Sequence, residues 1–284
     1  MSVRQAPPSV ETALEGVPKT ALLTLRARAD EHRRPEGWLE DPLAAAWSER
    51  LAWPAELERW YSPFAQVKTA LRVKQIDRVV EGLLASGRTI VVELGCGYST
   101  RSRRLKAHGA RWIHLDLESI IASRDMLGAA DPEAWPGSVL DPSWARRFSG
   151  RGEELVLIAE GLWYYLPEDE VRALWATLRK ELVGAAVVFD VIGVQDIGPA
   201  RRSSRAAGAP ILWAVKPPLE GVFEAWGLEP APSEPPGRLL EELIEGFEDR
   251  YGRLMGWVLR LLAKIPILSG RRSGLVVGIL RAQR

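Results

Sequence analysis

One segment constrains the fold of this chain more than any other: the apolar run at residues 90–97, with the sequence IVVELGCG. β-Branched residues followed by a Gly-x-Gly turn predict a buried strand whose carboxyl end faces a ligand. Glycines at Gly95 and Gly97 let the backbone approach that ligand closely. The turn by itself does not identify the ligand.

The residues after the turn limit which ligand the site could bind. Residues 112–117 (WIHLDL) predict a second strand that ends at Asp116, about 20 residues beyond the glycines, the spacing at which an acid meets a ribose hydroxyl pair. A dinucleotide fingerprint would need a third glycine where Thr100 stands, and Glu93 would repel a pyrophosphate. An adenosine that carries a cationic sulfonium has no such conflict. The pattern therefore favours S-adenosyl-L-methionine (SAM) and a class I methyltransferase, with a dinucleotide oxidoreductase as the rival.

Further strands and helices alternate along the chain. The predicted strands are a short third one at 138–140, then 155–159 and 185–192, a sixth starting near 226–229 and a closing one at 275–280. The predicted helices are 99–107, 117–127, 168–182 and 239–249. This alternation predicts an α/β fold, a Rossmann-like, seven-stranded and mostly parallel sheet with helices on both faces.

The first part of the chain has a different pattern. Residues 1–85 predict an N-terminal helical cap that belongs to the same domain, with one helix near 20–33 and another opened by Asp41 and Pro42. Residues 86–284 then form the SAM-binding core. A basic stretch rich in small residues predicts an inserted lid at about 195–215.

Composition excludes several classes of partner. The formal net charge of +1 gives no bulk field for nucleic acid or an anionic membrane. The longest apolar run, 254–268, is broken by Arg260, Lys264 and Pro266, so no integral membrane segment is predicted. The polar, proline-rich start predicts no signal peptide. We expect a cytoplasmic monomer or homodimer without a metal site.

Four acidic residues stand at or just after predicted strand ends: Glu93, Asp116, Asp141 and Glu160. In an open parallel sheet the carboxyl ends of the strands line one crevice. Any one of these acids could be an ordinary helix cap. Four acids at equivalent positions of successive strands predict a ligand site in that crevice.

Several blocks of sequence also carry a family resemblance. They are VPKTALL from 17, EDPLA from 40, LRVKQID from 71, VELGCGYSTR from 92, LDL from 115 and AEGLWYYL from 159. In this order they resemble the leucine carboxyl methyltransferase superfamily, and within it the tetracenomycin-type polyketide O-methyltransferases. The resemblance covers about residues 17–183. It implies the class I fold, SAM as cofactor and a small-molecule, natural-product or polyketide-like acceptor of secondary metabolism.

The resemblance also implies roles for individual residues. Lys19 and Arg72 would bind the methionine carboxylate of SAM. Gly95 and Gly97 would approach the methionine part, with Glu93 near its ammonium, and Asp116, followed by Leu117, would accept from the ribose hydroxyls. Leu140 and Asp141 would flank the adenine, while Glu160 and Gly161 would lie beside the sulfonium, with Tyr165 closing over it. The chain departs from the family pattern at Trp163, which leaves the packing on the acceptor side open.

The acceptor decides whether the enzyme needs a base. A carboxylate is already ionised at neutral pH, whereas a phenol must lose a proton. Besides Tyr165, the candidate catalytic residue is His32, one of only three histidines. This shortage of bases favours a carboxylate acceptor and a methyl ester product. A phenol or enol O-methyltransferase stays open, as does a non-catalytic protein that binds SAM or a partner.

Overall fold

The computed structural model describes residues 14–58, 61–105, 109–129, 131, 133–194, 201, 204–205, 208–216, 220–231, 238–263 and 274–282. Its helices are α1 (Ala21–His32), α2 (Pro42–Arg50), α3 (Ala55–Glu58), α4 (Pro63–Ala85), α5 (Arg101–Arg104), α6 (Glu118–Met126), α7 (Ser143–Arg146), α8 (Glu168–Glu181), α9 (Glu220–Ala225), α10 (Arg238–Tyr251) and α11 (Arg253–Ala263). Its strands are β1 (Ile90–Leu94), β2 (Arg111–Asp116), β3 (Ala134–Pro136), β4 (Leu155–Ala159), β5 (Ala186–Val191), β6 (Leu228–Pro230) and β7 (Gly274–Leu280). Much of the predicted lid at 195–215 lies outside the described residues.

The strands form one seven-stranded sheet in the order β3-β2-β1-β4-β5-β7-β6. Neighbours from β3 to β5 are parallel, while β7 runs antiparallel to both β5 and β6. Every residue of β1, β4 and β5 is buried, which is why these strands are apolar on both faces, apart from Glu93 and Asp190 near their carboxyl ends. The predicted fold class is confirmed, and β1, β2 and β4 direct their carboxyl ends to one side.

The third strand is not where the sequence pattern predicted it. Ala134–Pro136 pairs with β2, whereas residues 138–140 form a turn in which the Asp141 N–H donates to the Ser138 carbonyl at 3.2 Å. Trp135 stacks on Phe148 with ring centroids 5.8 Å apart, so side-chain packing favours a strand at 134–136 over one at 138–140. Proline is tolerated at 136 because this strand lies at the sheet edge.

The N-terminal helices pack on the sheet through α4. Ser62 caps this helix by accepting from the Ala65 N–H at 3.2 Å, and Asp41 caps α2 in the same way from Ala44 at 2.9 Å. Ile76, Val80 and other apolar residues of α4 pack against the sheet, while Leu22 and Leu25 of α1 pack with Tyr98 and Ile120. Helix α1 therefore lies beside the glycine turn after β1.

In the part of the chain that the structure describes, no helix combines the length and the apolar character that crossing a bilayer requires.

Candidate functional site

A cavity of about 500 Å³ lies at the carboxyl ends of β1, β2 and β4. Most of the residues predicted for the site line it: Arg72, Glu93, Gly95, Gly97, Asp116, Leu117, Glu160, Gly161 and Tyr165. The segment at 17–21 and the start of α1 close it from the other side. The strand ends and the N-terminal helices together line one partly open site.

The glycine turn depends on its glycines for two reasons. Gly95 and Gly97 have φ of 63° and 50°, in the left-handed region that side chains disfavour. A Cβ on Gly97 would also lie 2.9 Å from the Cβ of Ala21, and one on Gly95 would lie 2.8 Å from a methyl carbon of Leu162. The turn is therefore packed from both sides as well as bent.

Asp116 lies at the cavity wall and holds the turn. Its Oδ2 accepts from the Gly97 N–H at 2.7 Å, and its Oδ1 accepts from the Leu117 N–H at 2.7 Å. Burial raises the pKa of Asp116 from its ordinary value, against the lowering effect of these two hydrogen bonds. Each carboxylate oxygen has a second lone pair. Asp116 can therefore accept two further hydrogen bonds from a ligand without releasing the turn.

Arg101, which we did not single out from the sequence, lies at the centre of the site. It is 3% exposed, and its three guanidinium nitrogens contact Asp77 at 2.8 Å, Glu93 at 3.0 Å and Glu160. The remaining partners of Glu93 are Ser99, whose hydroxyl donates at 2.8 Å, and His114 at 3.2 Å. Glu93 was predicted to meet the ammonium of the cofactor, but in the structure its carboxylate is engaged by Arg101.

A second arginine, Arg72 of α4, connects two strand-end acids. Its Nε donates to Glu160 at 3.0 Å and its Nη1 to Asp190 at 3.1 Å. Asp190 also accepts from the Gly161 N–H at 2.5 Å and from the Tyr164 hydroxyl at 3.2 Å. Asp190 is the penultimate residue of β5, as Glu93 is of β1, so the rule that identified Glu93, Asp116 and Glu160 would also have identified it.

The cavity wall carries charges of both signs. Four buried or half-buried arginines pair with five acids: Arg28, Arg72, Arg101 and Arg104 with Asp41, Asp77, Glu93, Glu160 and Asp190. The four arginines line the cavity, whereas of these acids only Glu93 and Glu160 do, and Asp116 adds a third carboxylate to the described wall. A ligand that carries both cationic and anionic groups would complement such a site.

Four predicted residues do not line the cavity: Lys19, His32, Leu140 and Asp141. Asp141 is exposed, and its Oδ1 accepts from the Ser143 N–H at 2.9 Å, as a cap of the turn before α7. Ser138 and Val139 form the cavity wall on that side instead. His32 lies at the end of α1, so the structure does not bring the predicted base to the site.

Acid should weaken the fold through Glu160. Burial alone would raise the pKa of this carboxyl, but Arg101 and Arg72 lower it to about 2, and Arg101 together with His114 lowers the pKa of Glu93 even further. A pKa depressed by folding contributes stability above the unfolded pKa, about 4.5, and that stability is lost as the pH falls toward 2. We expect the free energy of unfolding, measured with urea, to fall more steeply between pH 5 and pH 3 in the wild type than in Glu160→Gln. If the two proteins lost stability in parallel over this range, the pairing of Glu160 with the arginines would be contradicted.

Comparison with known proteins agrees with this architecture. The chain is 29% identical over 204 residues to the SAM-dependent methyltransferase dpfgK of Gibberella zeae, covering 64% of this chain and 68% of that protein. It is 28% identical over 211 residues to the tetracenomycin polyketide synthesis O-methyltransferase TcmP of Streptomyces glaucescens, covering 72% and 77%. No family model matches the chain.

Solved structures share the fold. A crystal structure described as a methyltransferase from Thermobifida fusca superposes with a TM-score of 0.54 over 94% of this chain and 96% of its own, at 15% identity. A DUF574 family protein from Streptomyces avermitilis gives 0.51 over 92% and 97%, also at 15% identity. The chain is thus a homologue of the SAM-dependent methyltransferases, a group that includes the tetracenomycin O-methyltransferase, and it has the class I methyltransferase fold.

Proposed function

We propose that this SAM-dependent methyltransferase acts on oxygen and converts a carboxylate of a small, natural-product-like acceptor into a methyl ester. The observation that carries the proposal is the cavity at the strand ends, with Asp116 at one part of its wall and an arginine–carboxylate network at another. TcmP, a named polyketide O-methyltransferase, supports the choice of oxygen and of acceptor class.

The residues present suit the cofactor. SAM carries a sulfonium and an ammonium, which the carboxylates of the described wall can meet, and a carboxylate, which its arginines can meet. Asp116 would hold the ribose hydroxyls, Ser138 and Val139 would lie beside the adenine, and Arg72 would face the methionine carboxylate. When bound, SAM supplies a methyl group that an oxygen nucleophile can take by in-line displacement.

The acceptor class follows from which groups can remove a proton. Among the described residues of the cavity wall there is neither a histidine nor a lysine. Burial raises the pKa of Tyr165 to about 12 and that of Tyr164 well above its usual value, so both phenols stay protonated at neutral pH. The carboxylates of Glu93 and Glu160 are already paired with arginines. A phenol acceptor would therefore lack a base, whereas a carboxylate acceptor needs none.

The residues of the cavity wall would then exclude water and position the acceptor. Leu162, Leu166, Tyr164 and Tyr165 give the cavity an apolar and aromatic wall beside Glu160. Such a wall keeps water from the reacting oxygen, which strengthens the electrostatic interactions inside the site. Tyr164 is fixed by its hydrogen bond to Asp190, and its ring lies 4.8 Å from that of Tyr165.

The proposal is tested by incubating the protein with SAM and a panel of aromatic and aliphatic acids, each paired with the phenol of matching skeleton. We expect S-adenosylhomocysteine to form with acids, a product heavier by one methylene unit, and loss of that mass after mild alkali, because esters hydrolyse and aryl ethers do not. The rate should change little between pH 6 and pH 9, since the nucleophile is already ionised.

Other outcomes would assign other functions. Alkali-stable products from phenols, with a rate that rises with pH, would favour the ether-forming alternative. SAM binding without turnover on any acceptor would favour the non-catalytic alternative. Binding of a nicotinamide dinucleotide without any affinity for SAM would refute the proposal altogether.

A further inference from the structure

Three consecutive carbonyl groups of the glycine turn are held by two buried arginines. Arg124 of α6 donates from Nη1 to the carbonyls of Gly97 at 2.8 Å and Ser99 at 2.9 Å. Arg28 of α1 donates from Nη2 to the intervening carbonyl of Tyr98 at 2.6 Å. The two side chains are only 1% and 2% exposed. Neither lay in the set of site residues predicted from the sequence.

Each arginine is itself fixed by a buried acid. The Nε of Arg124 donates to Asp131 at 2.8 Å, and its Nη2 lies 2.7 Å from the same carboxylate oxygen. The Nη1 of Arg28 contacts Asp41 at 2.6 Å, and Asp41 also caps α2. Because both cations are paired and buried, their planar donor groups have one orientation. They can therefore determine the orientation of the peptide groups to which they donate.

The held turn connects directly to the cavity wall. The carbonyl of Gly97 accepts from Arg124, while the N–H of the same residue donates to Asp116 at 2.7 Å. Asp116 and Arg28 line the cavity, whereas Arg124 does not. A change at Arg124 would thus reach a bound ligand through Gly97 and Asp116 rather than by contact.

We propose that Arg124 and Arg28 are positioning residues for the nucleoside half of the cofactor, acting by clamping the carbonyl groups of the turn. The inference rests on the proposed function, since it presumes that Asp116 holds the ribose. It also makes α1 a structural part of the cofactor site: Arg28 joins this helix to the turn at Tyr98, and it also donates to the Thr100 hydroxyl at 2.7 Å.

The test is a calorimetric titration of SAM and of adenosine into the wild-type protein and into Arg124→Lys and Arg28→Lys. Lysine keeps the charge, but its donors share one nitrogen and cannot reproduce the planar guanidinium that reaches an acid on one side and carbonyl groups on the other. We expect each variant to lose on the order of tenfold in affinity for SAM, and a similar factor for adenosine. Using two variants keeps the test decisive if one of them does not fold.

Arg88 provides the matched control. It donates to the carbonyls of Glu153 at 3.0 Å, Leu155 at 2.8 Å and Gly184 at 3.0 Å, at the opposite end of the strands and outside the cavity wall. Arg88→Lys should lower the melting temperature without changing SAM affinity. A loss of SAM affinity in Arg88→Lys equal to that in Arg124→Lys would mean that the effect is general destabilisation, and the inference would be wrong.

A double-mutant cycle separates positioning from a merely structural role. If Arg124 acts through Asp116, then Arg124→Lys combined with Asp116→Asn should lose less affinity than the product of the two single losses. Independent losses that multiply would overturn the inference while leaving SAM binding intact. Failure of the wild-type protein to bind SAM would instead overturn the proposed function, and the inference with it.

Discussion

Replacing Asp116 with alanine is expected to weaken SAM binding by roughly tenfold to a hundredfold, or about 1.5–3 kcal/mol, because a charged acceptor for two hydroxyl groups is lost. The same carboxylate accepts from the N–H groups of Gly97 and Leu117. The variant therefore also leaves the turn without the acceptor that orders it. Isothermal titration with SAM measures the effect, and circular dichroism checks that the fold is kept.

Asp141→Ala is the matched control for this prediction. Asp141 is also an acid after a predicted strand, but it is exposed, caps a turn through Ser143 and does not line the cavity. Its loss should lower the stability only slightly, because an exposed hydrogen bond to one turn N–H is lost, with no change in SAM affinity. If Asp141→Ala weakened binding and Asp116→Ala did not, our placement of the nucleoside would be wrong.

Replacing Arg101 with methionine is expected to lower the free energy of unfolding by about 3–5 kcal/mol, because three carboxylates are left in a buried site without their shared cation. Those carboxylates belong to Asp77, Glu93 and Glu160. Methionine has a comparable length and no charge, so the effect reports the missing cation more than a cavity. Urea unfolding at pH 7 measures it.

The dependence of this loss on pH gives a second readout. In the wild type Arg101 keeps the pKa values of Glu93 and Glu160 low. Without it both pKa values rise, and the carboxyls take up protons at a higher pH. The stability difference between wild type and variant should therefore shrink as the pH falls from 7 toward 4.

Arg111→Met serves as the surface control for Arg101→Met. Arg111 pairs with Glu133 on the protein surface, where its side chain is 45% exposed, and a pair of this kind contributes less than about 1 kcal/mol. An equal loss of stability in the two variants would contradict the central role that we assign to Arg101.

Local patterns were sufficient for the parts of the site that lie on one segment. The apolar run of β1, its glycine turn and the acid at the end of β2 are each encoded within a few neighbouring residues, and the end of β1, the turn and the acid line the cavity. The third strand was misplaced because the apolar residues within 138–140 give a local strand signal, whereas Pro136 disfavours a strand at 134–136. Packing of Trp135 on Phe148 and pairing with β2 nevertheless favour the strand at 134–136.

The alternation of strands and helices, the seven-stranded sheet, the glycine turn and the position of Asp116 could all be predicted from sequence patterns, since periodicity and spacing are local properties of the chain. The pairing of cations with acids depends on the folded arrangement. Arg72 and Asp190 are 118 residues apart, and Arg28 and Tyr98 are 70 apart. Long arginine side chains choose partners by distance in space, which no local pattern encodes, and so the clamp on the turn became visible only in the folded chain.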